Sequence, residues 1–283
     1  MALTLPQLRA LVTVVDTGSF TGAADRLGLS QSAVSHAVAG LEKAIGGRVV
    51  QRDGGVALTA LGHRVLEHAR AALASVSALE SAVHQDGTLT GTVRIGAVAT
   101  VCQGLLPELL PVWAAKLPHV EVQIYEGDDD ELPEWLEAGV VDAAILVEPA
   151  SVPAGGKLVA TDEFAAVVRR DHPLAGLDGI PLAELQVDGL IVSTGGCERH
   201  VKRMHEDEGL PFAYSHRVRE MSTLFRMVEQ GMGVAIVPSL GRGMLPDDLV
   251  MRPLAAPRPR RLVLAGPASR PWHPLAQALV DAA

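Results

Sequence analysis

Residues 17–42 read TGSFTGAADRLGLSQSAVSHAVAGLE. Phe20, Ala23, Ala24 and Leu27 recur at i, i+3, i+4 and i+7, which is one apolar face of a two-turn helix. Gly28 and Leu29 break the pattern, and Ser30 is placed to cap a following helix by accepting one of its free first-turn N–H groups. In that second helix Val34, Ala37, Val38, Leu41 and Ile45 face inward, leaving Gln31, Ser32, Ser35, His36, Ala39 and Lys43 outside. A solvated helix face ordinarily carries Glu and Lys pairs. Short donors and acceptors suit a surface that must approach a hydrogen-bonding partner, and the DNA major groove meets that requirement.

Working outward, Leu5, Leu8, Leu11, Val12 and Val15 predict a third amphipathic helix that completes a small core. Downstream, residues 48–52, the turn Asp53-Gly54-Gly55 and residues 56–59 predict a β-hairpin, or wing. In these residues the chain resembles the N-terminal domain of LysR-type transcriptional regulators. The resemblance is carried by Leu8, Gly18-Ser19-Phe20-Thr21, Ala23-Ala24, Leu27, the run from Ser30 to Ser35, Leu41-Glu42, Gly46, Arg52, Leu58-Thr59 and Gly62. Val49-Val50 and Leu61 depart from it at core or joint positions. It implies a winged helix-turn-helix over residues 3–60, with Thr21, Ser30, Gln31, Ser32, Ser35, His36 and Arg52 as the DNA-contacting residues.

The 283 residues suggest about two domains. Residues 1–15 have no basic flank and no unbroken apolar run, and no stretch reaches membrane-spanning length, so a cytoplasmic protein with no membrane partner is expected. Two cysteines make no disulfide framework. The net charge of −9 argues at first against nucleic acid. Residues 1–90, however, hold 7 Lys+Arg and 7 Asp+Glu, so the acidic excess lies entirely beyond them. Phosphate contacts must then rest on a few placed cations, such as Arg9, Lys43, Arg48 and Arg52, assisted by helix N-termini. So short a charge complement favours two half-sites, hence a homodimer or homotetramer on double-stranded DNA.

Residues 59–85 predict one long helix with an apolar stripe from Leu61 to Val83. A seam of that width invites pairing with a second copy of the chain, the other outcome being burial against its own chain. Residues 61–90 are accordingly expected to be a dimerisation helix and a hinge.

Beyond Gly91, strands alternate with helices: strands near 92–98, 120–125, 141–147, 158–169, 190–193, 215–218, 234–237, 249–254 and 261–264, with helices at 104–117, 131–138, 197–208, 222–230 and 275–282. Two such α/β units imply two lobes with a cleft between them. The fold class expected is a winged helix-turn-helix head, a long linker helix, and a two-lobed α/β effector domain over 91–283. Lobe 1 is placed at 91–164 and 264–283, lobe 2 at 165–263. The second region is similar to the effector domain of the same regulators, itself like periplasmic solute-binding proteins; Gly96, Thr100, Leu105-Leu106-Pro107, His172-Pro173-Leu174 and residues 231–238, GMGVAIVP, carry the match.

Three helix starts point toward this cleft: Ala99-Thr100, residues 193–196, and Met221-Ser222-Thr223. Their free N–H groups suit a small anionic effector, and the resemblance implies Thr100, Ser193, Thr194 and Thr223 as its contacts. Cys102 and Cys197 lie beside two of these starts, where a thiol pKa tends to fall. The resemblance offers a redox alternative, since some relatives that sense peroxide carry a reactive cysteine near the position of Cys197. Their second cysteine would lie about nine residues on, where this chain has Glu206 and no thiol, so buried or inert thiols are the leading expectation. The histidines at 63, 68, 84, 205 and 216 are scattered and expected at the surface. No G-x-S-x-G, phosphate-loop or HExxH motif is present. A regulator is therefore expected, with no enzyme activity, cofactor or metal, and RNA polymerase as a candidate further partner. The rival is a two-lobed small-molecule binding protein or enzyme whose N-terminal helices serve only dimerisation.

Overall fold

The computed structural model describes residues 2–51, 56–82 and 89–283. The head is built from α1 (Leu5–Thr17), α2 (Phe20–Leu27) and α3 (Gln31–Ile45). Ser19 and Ser30 cap α2 and α3, their hydroxyls accepting from the amides of Gly22 (2.9 Å) and Ala33 (3.2 Å). Both helices end on glycines in the left-handed region, Gly28 and Gly46 at φ of 65° and 77°, a conformation that stops a helix with little strain only when no Cβ is present. The head's core is Ala10, Leu11, Val14, Ala23, Ala24, Val34, Val38 and Leu41, while Leu5 is exposed.

Strands β1 (Val50–Gln51) and β2 (Ala57–Leu58) pair antiparallel, with Val50 opposite Leu58. The wing's tip, including Arg52, lies outside the described residues. Glu42 fastens the wing to α3, its carboxylate accepting from the amides of Val49 (2.9 Å) and Val50 (3.3 Å). The linker helix α4 (Ala60–Ala82) starts where Thr59 accepts from the Gly62 amide at 2.9 Å; its expected end near 85 and most of the hinge fall outside the described residues.

The remaining elements are β3 (Gly91–Ala97), α5 (Ala99–Gly104), α6 (Leu106–Lys116), β4 (Val120–Glu126), α7 (Glu131–Ala138), β5 (Ala143–Val147), β6 (Lys157–Arg169), α8 (Leu182–Val187), β7 (Leu190–Ser193), α9 (Cys197–Asp207), β8 (His216–Val218), α10 (Met221–Glu229), β9 (Val234–Pro238), β10 (Leu249–Pro253), β11 (Pro259–Ala265) and α11 (Pro274–Ala282). The helix expected at 104–117 is α6, and a further short helix, α5, precedes it. Pro107 has no N–H to continue the ladder, so α5 ends at Gly104 and α6 begins again.

The strand order is β4-β3-β5-β11-β6-β9-β7-β8, with β10 on β6. β6 is the backbone of both lobes. Its first half pairs with β11 of lobe 1 and its second half with β9 and β10 of lobe 2. Each lobe has its own apolar core, one around Ile95, Trp113, Ile145 and Leu279, the other around Ile191, Phe225, Ile236 and Met251. Since Pro259 and Arg260 already pair with Glu163 and Asp162, the return into lobe 1 occurs at 259, earlier than the 264 expected.

Part of the linker seam is buried within the chain. Leu66, Ala69 and Ala74 are buried against α1, α7 and α11, and Arg70 binds Asp16 of α1 at 2.5 Å. Gly139, at the end of α7, brings its backbone against that of Arg70 and Ala71. Own-chain packing therefore takes this stretch, while Leu79 remains 66% exposed.

Candidate DNA interface and interlobe cleft

On the head, Thr21 lies in the first turn of α2, and Gln31, Ser32 and His36 project from the first two turns of α3; all four are exposed. Ser30 is exposed as well, Ser35 is half-buried, and the hydroxyls of Ser30 and Ser32 are 2.9 Å apart. Arg9, Lys43 and Arg48 are exposed around this face. The surface combines small hydrogen-bonding side chains with isolated cations, and it stands on a rigid core rather than on a loop.

Between the lobes, a carboxylate of the protein lies against the start of α9. Asp129, buried in the loop between β4 and α7, accepts from Arg199 at 3.0 Å and lies 3.1 Å from His200 Nε2. Its carboxyl carbon is so near Gly196 that a Cβ there would lie 3.1 Å away; one on Gly195 would meet Asp128 Oδ1 at 3.3 Å. Asp128 also reaches across to Arg219 at 3.0 Å. Burial, followed by its carboxylate neighbours Glu131, Asp130 and Asp129, holds the Asp128 carboxyl above its ordinary range against the pull of Arg219. Two lobe-to-lobe clasps thus close the front of the cleft.

Behind them, Arg260 binds Asp162 through two nitrogens and reaches Thr100 Oγ1 at 3.3 Å. The space bounded by Thr100, Asp129, Gly196, Cys197, Met221 and Arg260 is only about 20 Å³. A neighbouring cavity of about 260 Å³ is lined by Ser193, Asp128, Glu131, Trp135 and Arg219, among others. Ser193 is buried and donates to the Arg219 carbonyl at 3.0 Å. Thr194 turns to the outer side, beside Asp130 and Lys202. Thr223 is exposed and lines none of these cavities. Because α10 starts at Met221, that side chain takes the inward position, and Thr223, two residues and some 200° on, points away.

A larger groove of about 830 Å³ runs along the flank of α9. Glu148 at its rim has φ of 44°, a strained value for a residue with a side chain. Burial works to raise the Glu148 carboxyl, but hydrogen bonds from the Arg261 amide and guanidinium bring it below its ordinary value.

Neither cysteine has the lowered thiol pKa that a helix start tends to confer. Cys197 is buried, and loss of water raises its thiol to about 12, the effect of nearby Arg260 being smaller. Cys102 is raised to about 11, again chiefly by burial. Both are free thiols. His205, expected at the surface, is fully buried: its Nδ1 donates to the Val201 carbonyl at 2.7 Å and its ring packs on Phe212. Sequence reasoning passed over Asp129, Asp162, Arg199 and Arg260. The visible signals were the acidic run at 128–130 and the arginines between prolines at 257–261.

Comparison with known proteins agrees with this architecture at both ends of the chain. Residues 5–63 match the family model described as bacterial regulatory helix-turn-helix protein, lysR family, and residues 86–283 match the LysR substrate binding domain. The uncharacterised HTH-type transcriptional regulator YvbU of Bacillus subtilis (strain 168) is 33% identical, with 94% of this chain and 92% of that protein covered. A probable hydrogen peroxide-inducible genes activator of Streptomyces viridosporus is 32% identical over 83% of this chain and 77% of its own. Full-length OxyR of Pseudomonas aeruginosa, solved as a single-site variant, superposes with a TM-score of 0.74 at 26% identity, covering 99% and 97% of the two chains. The chain therefore belongs to the LysR family of bacterial helix-turn-helix transcriptional regulators.

Proposed function

We propose that the protein binds operator DNA as a homodimer or homotetramer, and that a small anionic effector held between its lobes changes the spacing of the DNA-binding heads. The observation that carries the DNA half is the start of α3. There Gln31, Ser32 and His36 are exposed on a helix whose opposite face, Val34, Val38 and Leu41, is fully buried. In this reading α3 enters the major groove, with Thr21, Ser30, Ser35 and Arg52 completing the contacts. The half-buried Leu73 and Val76 and the exposed Leu79 of α4 are left for a second copy. The clasps formed by Asp128 and Asp129 supply a closed arrangement of the lobes from which an effector can shift the population. RNA polymerase is a further partner in this scheme, and a cytoplasmic location goes with it; among the described residues no helix is long and apolar enough to cross a membrane. Raised thiols at both cysteines weigh against peroxide as the signal, whatever the Streptomyces relative responds to.

Fluorescence anisotropy with DNA from the protein's own promoter, across a salt series, tests the proposal. Selective binding that falls with salt and weakens about 5- to 100-fold in Gln31→Ala is expected, the loss of one good base contact being about 1–3 kcal/mol. Equal affinity for every sequence would leave the head a dimerisation module.

A further inference from the structure

We propose that the effector sits in the groove along α9 and is an organic anion bearing at least two negative groups; the inference rests on the regulator reading above and assigns its ligand site. At about 830 Å³ the groove has the size of a metabolite pocket, whereas the space behind the clasps has about 20 Å³. Its walls come from both lobes: Glu148 and Arg261 from one, Arg199 and Arg203 of α9 from the other, with Arg258 on the crossover that joins them. In a chain of net charge −9, four arginines line this groove together with two carboxylates, Glu148 and Asp207.

Three of the four have carboxylate partners within the protein. Arg261 binds Glu148, and Arg199 reaches Asp129 at 3.0 Å. Arg258 binds Glu208 through Nη2 at 2.5 Å and lies 3.9 Å from Asp207, but its Nε is buried with no acceptor among the described residues. Arg203 makes no hydrogen bond or ion pair among the described residues. Buried N–H groups are nearly always paired, and a carboxylate or phosphate oxygen is the partner whose geometry a guanidinium fork matches. At the start of α9, the other place for an anion, the Asp129 carboxylate already lies beside Gly196. An anion with two charged ends can meet Arg258 and Arg203 with one and Arg261 with the other, drawing on both lobes at once.

Calorimetric titration of the full-length protein at fixed ionic strength tests this with succinate, citrate, glycerol 3-phosphate and inorganic phosphate, against acetate as the single-charge control. At least one multivalent anion is expected to bind ten or more times tighter than acetate, and the pattern across the series separates carboxylate from phosphate sources. Arg203→Glu should weaken that binding at least tenfold. Lys202→Glu, the same charge change on the neighbouring residue, should stay within twofold. Because Arg258 also holds Glu208, Arg203→Glu decides the matter where Arg258→Gln fails to fold. No preference over acetate, or equal losses in Arg203→Glu and Lys202→Glu, overturns the site. Promoter DNA titrated into the same preparation keeps the two readings apart. Selective DNA binding without anion preference removes the groove alone, and anion binding lost in Arg203→Glu without selective DNA binding upholds the groove and removes the regulator.

Discussion

Arg260 and Asp162 hold each other through two hydrogen bonds of 2.6 and 2.8 Å, with side chains only 4% and 5% exposed. They stand opposite one another on β11 and β6, the strands next to the crossing between the lobes. Asp162 also accepts from the Leu240 amide at 3.2 Å, and Arg260 lies 5.8 Å from the centre of the Phe164 ring. The pair therefore ties β6, β11 and the segment after β9 into one joint. Asp162→Leu leaves the guanidinium buried without its counter-charge, which costs about 3–5 kcal/mol. At roughly 2–4 °C per kcal/mol for a domain of this size, calorimetry should show Tm falling on the order of 10 °C. The double change Asp162→Leu with Arg260→Met should recover much of that loss, since it removes the buried charge altogether. A single variant that melts within 2 °C of the parent would show that the joint does not depend on this pair.

Gly62 sits where the linker helix meets the wing, and a Cβ there would fall 2.0 Å from the Val49 carbonyl oxygen. That obstacle is backbone, so neither a rotamer change nor a small side-chain shift relieves it. Gly62→Ala should destabilise the head by about 1–3 kcal/mol and displace β1, weakening DNA binding while leaving the effector lobes folded. Two-probe denaturation, with near-ultraviolet signals from Trp113, Trp135 and Trp272 reporting the lobes, reads the difference. A single unchanged transition would count against the close approach.

Cys197 gives a direct check on the redox alternative. A buried thiol raised to about 12 presents almost no thiolate at pH 8. Alkylation by iodoacetamide, followed by mass spectrometry of the native protein, should be slower at this site by at least two orders of magnitude than in urea. Rapid native labelling, or a Cys197 sulfenic acid formed at micromolar peroxide, would restore the sensor reading.

The helix-turn-helix was legible because its signals are local. The i, i+3, i+4 spacing, the Ser30 cap and the stops at Gly28 and Gly46 each act within one turn of chain, and α2 and α3 form where that spacing puts them. The strand alternation was legible for the same reason. What escaped depends on meetings across long sequence separation. Asp129 lies 70 residues from Arg199, and Arg260 lies 98 from Asp162, so nothing periodic marks either pair. The cysteines depend on the same kind of meeting: at Cys197 burial raises the thiol by more than the helix start and nearby Arg260 lower it. Thr223, named from the resemblance, lies exposed in the first turn of α10, where Met221 takes the inward position.

His273 joins the linker helix to the effector domain. Its Nδ1 accepts from the Leu275 amide at the start of α11, so the ring's hydrogen sits on Nε2 and is donated to Ser77 of α4, 3.2 Å away. Protonation would place a second hydrogen on Nδ1, facing that amide. The ring is buried, and burial lowers its pKa from 6.5, with Arg94 and Arg270 adding to the effect and Asp142 opposing it. The depressed value sets the sign. Above pH 6.5 the histidine is neutral in folded and unfolded chains alike and contributes no pH dependence. Below it the unfolded chain binds a proton that the folded one resists, so stability falls as the pH drops from 6.5 toward the folded pKa. The Leu275 amide should lose its Nδ1 acceptor over the same window, loosening the start of α11 and with it the packing of α4 on α11. Hydrogen exchange of the α4 amides at pH 7.5 and 5.5 measures it, with His273→Gln as the comparison. Gln cannot charge, so its α4 protection should change with pH less than the parent's; identical profiles would place the acid sensitivity of the linker elsewhere.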